Sequence, residues 1–178
     1  WAPIGFSPLN KAQLIPNSIG DTSNPSIVEI LESGEIIGEQ TIIHKADEKH
    51  TINQIKRLLG KNLSDLKDLK DINYDLVGDK DNKLQIKVNI KGKDIFYSPE
   101  QIMARIIKKL IKDASDFMET PITKAVITVP AYFDYSQRAA LEQSAKLAGI
   151  NDIGLINEPT AAALAYGLGT KENLSESI

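Results

Sequence analysis

The sequence contains no cysteine. That removes disulfide scaffolds, thiol nucleophiles and cysteine metal sites at once, although it leaves the compartment open. Histidine is almost as scarce. His44 and His50 are the only two, and the residues around them do not follow a metal-ligand spacing. Aromatic residues make up 6% of the chain, with a single tryptophan. No apolar run approaches the ~20 residues that cross a bilayer. There is no Gly-x-x-x-x-Gly-Lys-Ser/Thr loop of the P-loop kind, no nucleophile elbow and no serine near a histidine in sequence. Charge of one sign is also missing, since 21 basic residues face 24 acidic ones for a net −3. Nothing electrostatic therefore points to nucleic acid or to a membrane surface as partner.

What is present is the profile of a globular domain, with 42% apolar and 25% charged residues over 178 positions, enough for one domain with a core of its own. Residues 1–12 read as irregular, with no basic stretch ahead of an apolar segment, so they do not read as a signal peptide. Gln13 to Pro16 reads as the end of a strand, and Asn17 to Pro25 as a turn-rich stretch. Ile27 to Leu31 and Glu35 to Ile37 flank Ser33-Gly34 as a hairpin. Thr51 to Leu59 is expected to form a short helix ending near Gly60. Residues 61–81 read as helix turns and exposed loop, their lysines and aspartates forming a solvated surface. Leu84, Ile86, Val88 and Ile90 alternate with polar residues and predict a strand. It turns at Lys91-Gly92-Lys93 and returns over Ile95 to Tyr97.

The strongest helix signal starts at Ser98. Serine caps, Pro99 suits the first turn, Gln101 closes a capping box, and an apolar stripe runs from Ile102 through Ile106 and Leu110 to Phe117. A strand–helix–strand unit follows. Ala125 to Val129 is a strand stopped by Pro130, Asp134 or Ser136 caps a helix running to Ala148, and Ile153 to Ile156 is a second strand. A helical crossover makes the two strands parallel. A last helix begins near Asn157-Glu158-Pro159, with small residues Ala161 to Ala163 suited to close packing on a sheet and Gly167 placed to end it. The tail beyond Gly169 reads as loose. Gly167-Leu168-Gly169-Thr170-Lys171 follows a helix instead of preceding one, so it reads as a helix terminus and not as a phosphate loop. Residue chemistry alone stops at a mixed α/β domain.

Three segments go further. Ala125-Val126-Ile127-Thr128-Val129-Pro130-Ala131-Tyr132-Phe133, Ser136-Gln137-Arg138, and Ile156-Asn157-Glu158-Pro159-Thr160-Ala161-Ala162-Ala163-Leu164-Ala165-Tyr166-Gly167-Leu168 occur in this order and spacing in the heat shock protein 70 chaperone family. Upstream, Leu14-Ile15-Pro16-Asn17, Gly20-Asp21, Pro25-Ser26, Gly38-Glu39 and Ile55 to Lys61 resemble the same family, so the likeness spans residues 11–169 and is weakest over 62–97. The Glu158-Pro159-Thr160-Ala161 run in this setting argues against a different actin-like ATPase such as a sugar kinase.

The resemblance implies an α/β fold, namely an incomplete first lobe of an actin-like ATPase domain over 13–169. Residues 25–118 would form an inserted subdomain and 119–169 the core, with 170–178 as a loose tail. It implies that Lys56 is the lysine reaching the γ-phosphate of ATP and the attacking water. Glu158 would be the carboxylate near the water shell of magnesium, and Pro130 and Arg138 a conformational switch and its relay. ATP and magnesium are the implied cofactors. Unfolded polypeptides and co-chaperones (J-domain proteins and nucleotide exchange factors) are the implied partners of a complete protein, and the cytoplasm the expected compartment. The family's first phosphate loop, Asp-Leu-Gly-Thr-Thr, is not contained in residues 1–10, and its second is expected just after residue 169. The isolated chain is therefore expected to be inactive, and a non-catalytic module that binds co-chaperones is the alternative. Thr22 stands where the family usually has arginine, Tyr135 and Gly169 where it usually has aspartate.

Overall fold

A computed structural model describes residues 3–6, 13–45, 50–66 and 72–166. The chain begins with a short antiparallel pair, β1 (Gly5–Phe6) and β2 (Gln13–Leu14). The pair is extended by the Ile15 amide donating to the Ile4 carbonyl at 2.9 Å. Residues 1–12 are thus not irregular throughout, as their sequence suggested, because Gly5 and Phe6 complete a ladder with the strand that follows. Pro16, which has no N–H, stops it.

Next come β3 (Val28–Leu31), β4 (Gly34–Ile37), α1 (Glu39–His44) and β5 (Thr51–Ile52), with β3 central in a three-stranded antiparallel sheet. The expected helix over 51–59 is not formed. Thr51 and Ile52 pair with Glu29 and Val28, and only Ile55–Arg57 winds, as a 3-10 turn. The β-branched pair is better satisfied on a sheet edge, and Gly60 leaves too few residues for a full helix. β6 (Asp75–Gly78), β7 (Leu84–Ile90) and β8 (Lys93–Tyr97) form a second antiparallel sheet in that order. β7 buries Leu84, Ile86 and Val88 and half-exposes the residues between them, as its alternation requires. Lys91 and Gly92 have φ of 51° and 81°, the two left-handed positions of a type I′ hairpin turn. β6, within the stretch read as loop, is an added strand.

α2 (Pro99–Met118) is the backbone of the domain. Its N-terminus carries the full capping box, Ser98 accepting from the Gln101 amide and Gln101 reaching back to the Ser98 amide at 2.9 Å. Ile102, Met103, Ile106 and Ile107 are buried, whereas Phe117 is 43% exposed, so the apolar stripe leaves the core in the last turns. α2 packs on both three-stranded sheets and on α3 (Tyr135–Leu147). The core is continuous, joining Val28, Ile52, Leu58, Leu59 and Ile86 through α2 to Val129, Phe133, Leu141 and Ala145.

β9 (Lys124–Val129) and β10 (Asp152–Asn157) are parallel, with α3 as the crossover, and Lys124 lies opposite Asp152. They form a two-stranded sheet of their own. The strand end read at Gln13 to Pro16 does not join them: β2 is only two residues long and takes β1 as its partner. α4 (Glu158–Ala165) follows β10 without a loop. None of its residues is buried, so the close packing expected of Ala161 to Ala163 is not seen. Gly167 and the tail lie outside the described residues. No helix among the described residues is long and apolar enough to cross a membrane.

Candidate functional site

Lys56 owes its position to its neighbours. Ile55 is 1% exposed, and Leu58 and Leu59 are fully buried, an i, i+3, i+4 set that turns the 3-10 segment inward and leaves Lys56 and Arg57 outside. Gly60 fixes the exit of this turn. Its φ is +66°, and a methyl at its Cα would lie 2.6 Å from the backbone carbon and oxygen of Ser136. The turn thus sits directly on the start of α3. That start is itself held by a capping box, in which the Gln137 amide donates to Asp134 Oδ1 at 2.9 Å and the Asp134 amide to Gln137 Oε1 at 3.1 Å.

Glu158 comes from the far end of the chain. It is the first residue of α4, immediately beyond the carboxyl end of β10. Lys56 Nζ donates to Glu158 Oε1 at 2.7 Å across 102 residues of sequence, and to the Thr128 carbonyl near the end of β9 at 3.4 Å. The ion pair is half-exposed, 39% on the lysine side chain and 46% on the glutamate, so water reaches both charges. A pair this open contributes about 1 kcal/mol or less to stability. Both groups stand at the carboxyl ends of parallel strands, where open α/β sheets usually place ligands.

Pro130 and Arg138 flank this pair. Pro130 is buried, and its carbonyl accepts from the Phe133 amide at 3.1 Å. The Phe133 carbonyl in turn accepts from Arg138 Nε at 3.0 Å, and Arg138 Nη2 donates to Asn157 Oδ1 at 2.8 Å. The structure brings Lys56 and Glu158 into direct contact. It links Pro130 to Arg138 through the backbone of Phe133. Asn157 and the Thr128 carbonyl were not singled out from the sequence. The signal for Asn157 was its place between a strand and Glu158-Pro159, where asparagine ordinarily caps a helix.

Two other places carry polar chemistry. A groove of about 650 Å³ is lined by Gly60, Lys61, Ser98, Gln101, Tyr135 and Gln143 among others, and neither Lys56 nor Glu158 lines it. On α2, Lys109 is nearly buried, 2.8 Å from Glu39 and 2.6 Å from Asp113, and donates to Asn24. Burial works to raise the Glu39 carboxyl, but Lys109 and the Ser18 hydroxyl outweigh it and hold Glu39 below its ordinary 4.5. This cluster ties the turn at 17–24 and α1 to α2. His44 lies 3.1 Å from the buried Glu29. Among the described residues, no group of three or more histidine or acidic side chains gathers to hold a metal ion.

Comparison with known proteins gives one family. The family described as Hsp70 protein matches residues 4–178. The chain is 41% identical over 170 residues to the heat shock protein 70 homolog of Acanthamoeba polyphaga mimivirus, covering 90% of this chain and 18% of that protein. It is 42% identical over 168 residues to the chaperone protein DnaK of Carsonella ruddii (strain PV), covering 92% of this chain and 27% of that one. With the heat shock 70 kDa protein 6, chloroplastic, of Arabidopsis thaliana, identity is 36% over 166 residues, covering 92% and 23%. The chain thus spans only 18% to 27% of the length of these curated relatives.

Proposed function

This chain belongs to the Hsp70 family, and from that premise we propose that it forms part of the first lobe of an actin-like ATPase domain, with Lys56 and Glu158 on one wall of the nucleotide site. The observation that carries this reading is the 2.7 Å contact between the two residues. Both were singled out through the family resemblance, lie 102 positions apart, and meet at the carboxyl ends of parallel strands.

The chemistry suits phosphoryl transfer. Charge on the equatorial oxygens of the transferring phosphoryl group is stabilised by a fixed cation, and a lysine ammonium with three donors is such a group. Glu158 accepts hydrogen bonds and can orient an attacking water, while holding Lys56 in place through the other half of the pair. Magnesium, when bound with ATP, neutralises β- and γ-phosphate charge. Glu158 would hold it through water. In the complete protein, ATP hydrolysis to ADP and phosphate would drive binding and release of unfolded polypeptides, with J-domain proteins and nucleotide exchange factors as partners. Pro130 and Arg138 would form the switch beside the site.

The decisive experiment grafts residues 4–166 into the corresponding segment of the DnaK of Carsonella ruddii. The chimera should hydrolyse ATP, and Lys56→Ala should remove turnover by on the order of 100-fold, the scale of losing one fixed charge-stabilising donor. Equal turnover without Lys56 would refute its assignment. A second reading, a non-catalytic module that binds co-chaperones, is favoured by Tyr132 and Tyr135, 80% and 87% exposed at the loop before α3 and its first turn. It predicts partner binding by a chimera whose Lys56→Ala variant binds just as well.

A further inference from the structure

Asn157 stands at the N-cap of α4 with φ −66° and ψ 137°, yet its side chain makes no capping hydrogen bond. Asparagine is among the best capping residues, and at this position its oxygen would ordinarily accept from an amide of the first turn. Here that oxygen accepts instead from Arg138 Nη2 at 2.8 Å, a charge-assisted bond to a guanidinium already anchored by its own contact to the Phe133 carbonyl. The junction between β10 and α4 is thereby fixed from α3 and not from its own helix. Asn157 is also the last residue of the parallel ladder, paired with Val129, so its backbone on the strand side is held as well.

Glu158 is the very next residue. The direction of its side chain follows from the peptide plane that Asn157 sets, and its Oε1 must arrive 2.7 Å from a lysine on a different element. Because the pair is half-exposed, packing does not impose that direction. We propose that Asn157 is a positioning residue, which gives up its cap to Arg138 and so aims Glu158 at Lys56. The inference rests on the reading of Lys56 and Glu158 as one wall of the nucleotide site. It makes the placement of Arg138 legible at that wall through one side chain, without passing through Pro130.

The test is NMR on the chain with labelled lysine and glutamate side chains. Coupling through the hydrogen bond from Lys56 Nζ to the Glu158 carboxylate, with the rotamer populations of Glu158, reads the contact. Backbone carbon shifts of residues 158–165 read α4 separately. Asn157→Ser keeps the ability to cap but is too short to hold Arg138. It should lower the population of the Glu158 rotamer that reaches Lys56 by at least about twofold, with α4 intact. Asn157→Asp, of equal length and still an acceptor, should keep it. Arg138→Ala should match Asn157→Ser, and the double variant should lose no more than either alone. Retention of the parent population in Asn157→Ser, loss in Asn157→Asp with α4 intact, or losses that multiply in the double variant would each overturn the proposal. Absence of the coupling in the parent chain would sink the Lys56–Glu158 pair itself, and this inference with it. A parent with the coupling and an unchanged Asn157→Ser would sink the role of Asn157 alone.

Discussion

Removing the Lys56 ammonium should leave the fold almost untouched. The pair with Glu158 is half-exposed, so Lys56→Ala is expected to change unfolding free energy by about 1 kcal/mol or less. Denaturant titration checks this, and a loss of several kcal/mol would mean that the lysine is structural. Four residues along the chain the expectation reverses. Gly60→Ala puts a methyl against the Ser136 backbone at a φ of +66°, where strain and overlap together should cost about 2–4 kcal/mol. The same measurement distinguishes the two, and a Gly60→Ala variant as stable as the parent would mean that the turn is not seated on α3. Glu39 gives a pH prediction. Its carboxyl is held below its ordinary 4.5, so the stabilisation it provides is complete above the unfolded value and is lost as pH falls through the folded one. Thermal melts from about pH 6 to 3 should therefore decline more steeply for the parent than for Glu39→Gln. Parallel pH profiles would argue against the Lys109 contact. Lys56 and Glu158 were legible as a pair only through family resemblance, since nothing in their local spacing joins positions 102 apart. The Lys109–Glu39 contact was not legible at all, because a lysine on an amphipathic helix looks the same whether it is solvated or buried.

The elements that were legible are those whose signals are local. α2 announces itself with Ser98, Pro99 and Gln101, and its capping box is formed. For α3 the sequence offered Asp134 or Ser136 as the cap, and the structure uses Asp134, with Gln137 closing a box that was not read from the sequence. Asp134→Ala should lower stability by about 1 kcal/mol, read as a lower denaturant midpoint at unchanged slope. An unaffected midpoint would mean that the 55–60 turn, and not the cap, holds the start of α3. Elements that depend on distant partners were misread. Thr51 and Ile52 look helical beside Ile55-Lys56-Arg57, but their hydrogen bonds go to β3, which the local sequence does not reveal. Asp75 to Gly78 is too short to show a period and becomes a strand only because β7 offers an edge. β1 is a strand for the same reason, with β2 as the partner.

On the scale of the whole molecule, the two-stranded sheet of β9 and β10 sets the behaviour in solution. Its inner face contributes Val129 and Ile127 to the core, while Val126 on the other face is 72% exposed. α4 beside it exposes Leu164 at 58% and ends at Tyr166, 85% exposed. Apolar side chains left in water at the ends of short strands favour association. Light scattering of the isolated chain should show a mass that rises with concentration. A sharp monomer with a cooperative melt well above ~65 °C would oppose this. The same openness limits chemistry. One exposed ion pair supplies about 1 kcal/mol or less toward a phosphate, whereas micromolar affinity requires roughly 8 kcal/mol. Positioning and charge stabilisation from several elements are needed for phosphoryl transfer, and on the proposed reading Lys56 with Glu158 would be one wall of such a site. Isothermal titration of this chain with Mg-ATP therefore tests the account most directly. The expected result is no binding tighter than about millimolar and no phosphate release above the buffer rate. Micromolar affinity, with turnover that Lys56→Ala abolishes, would show that the chain carries a complete site and would contradict it.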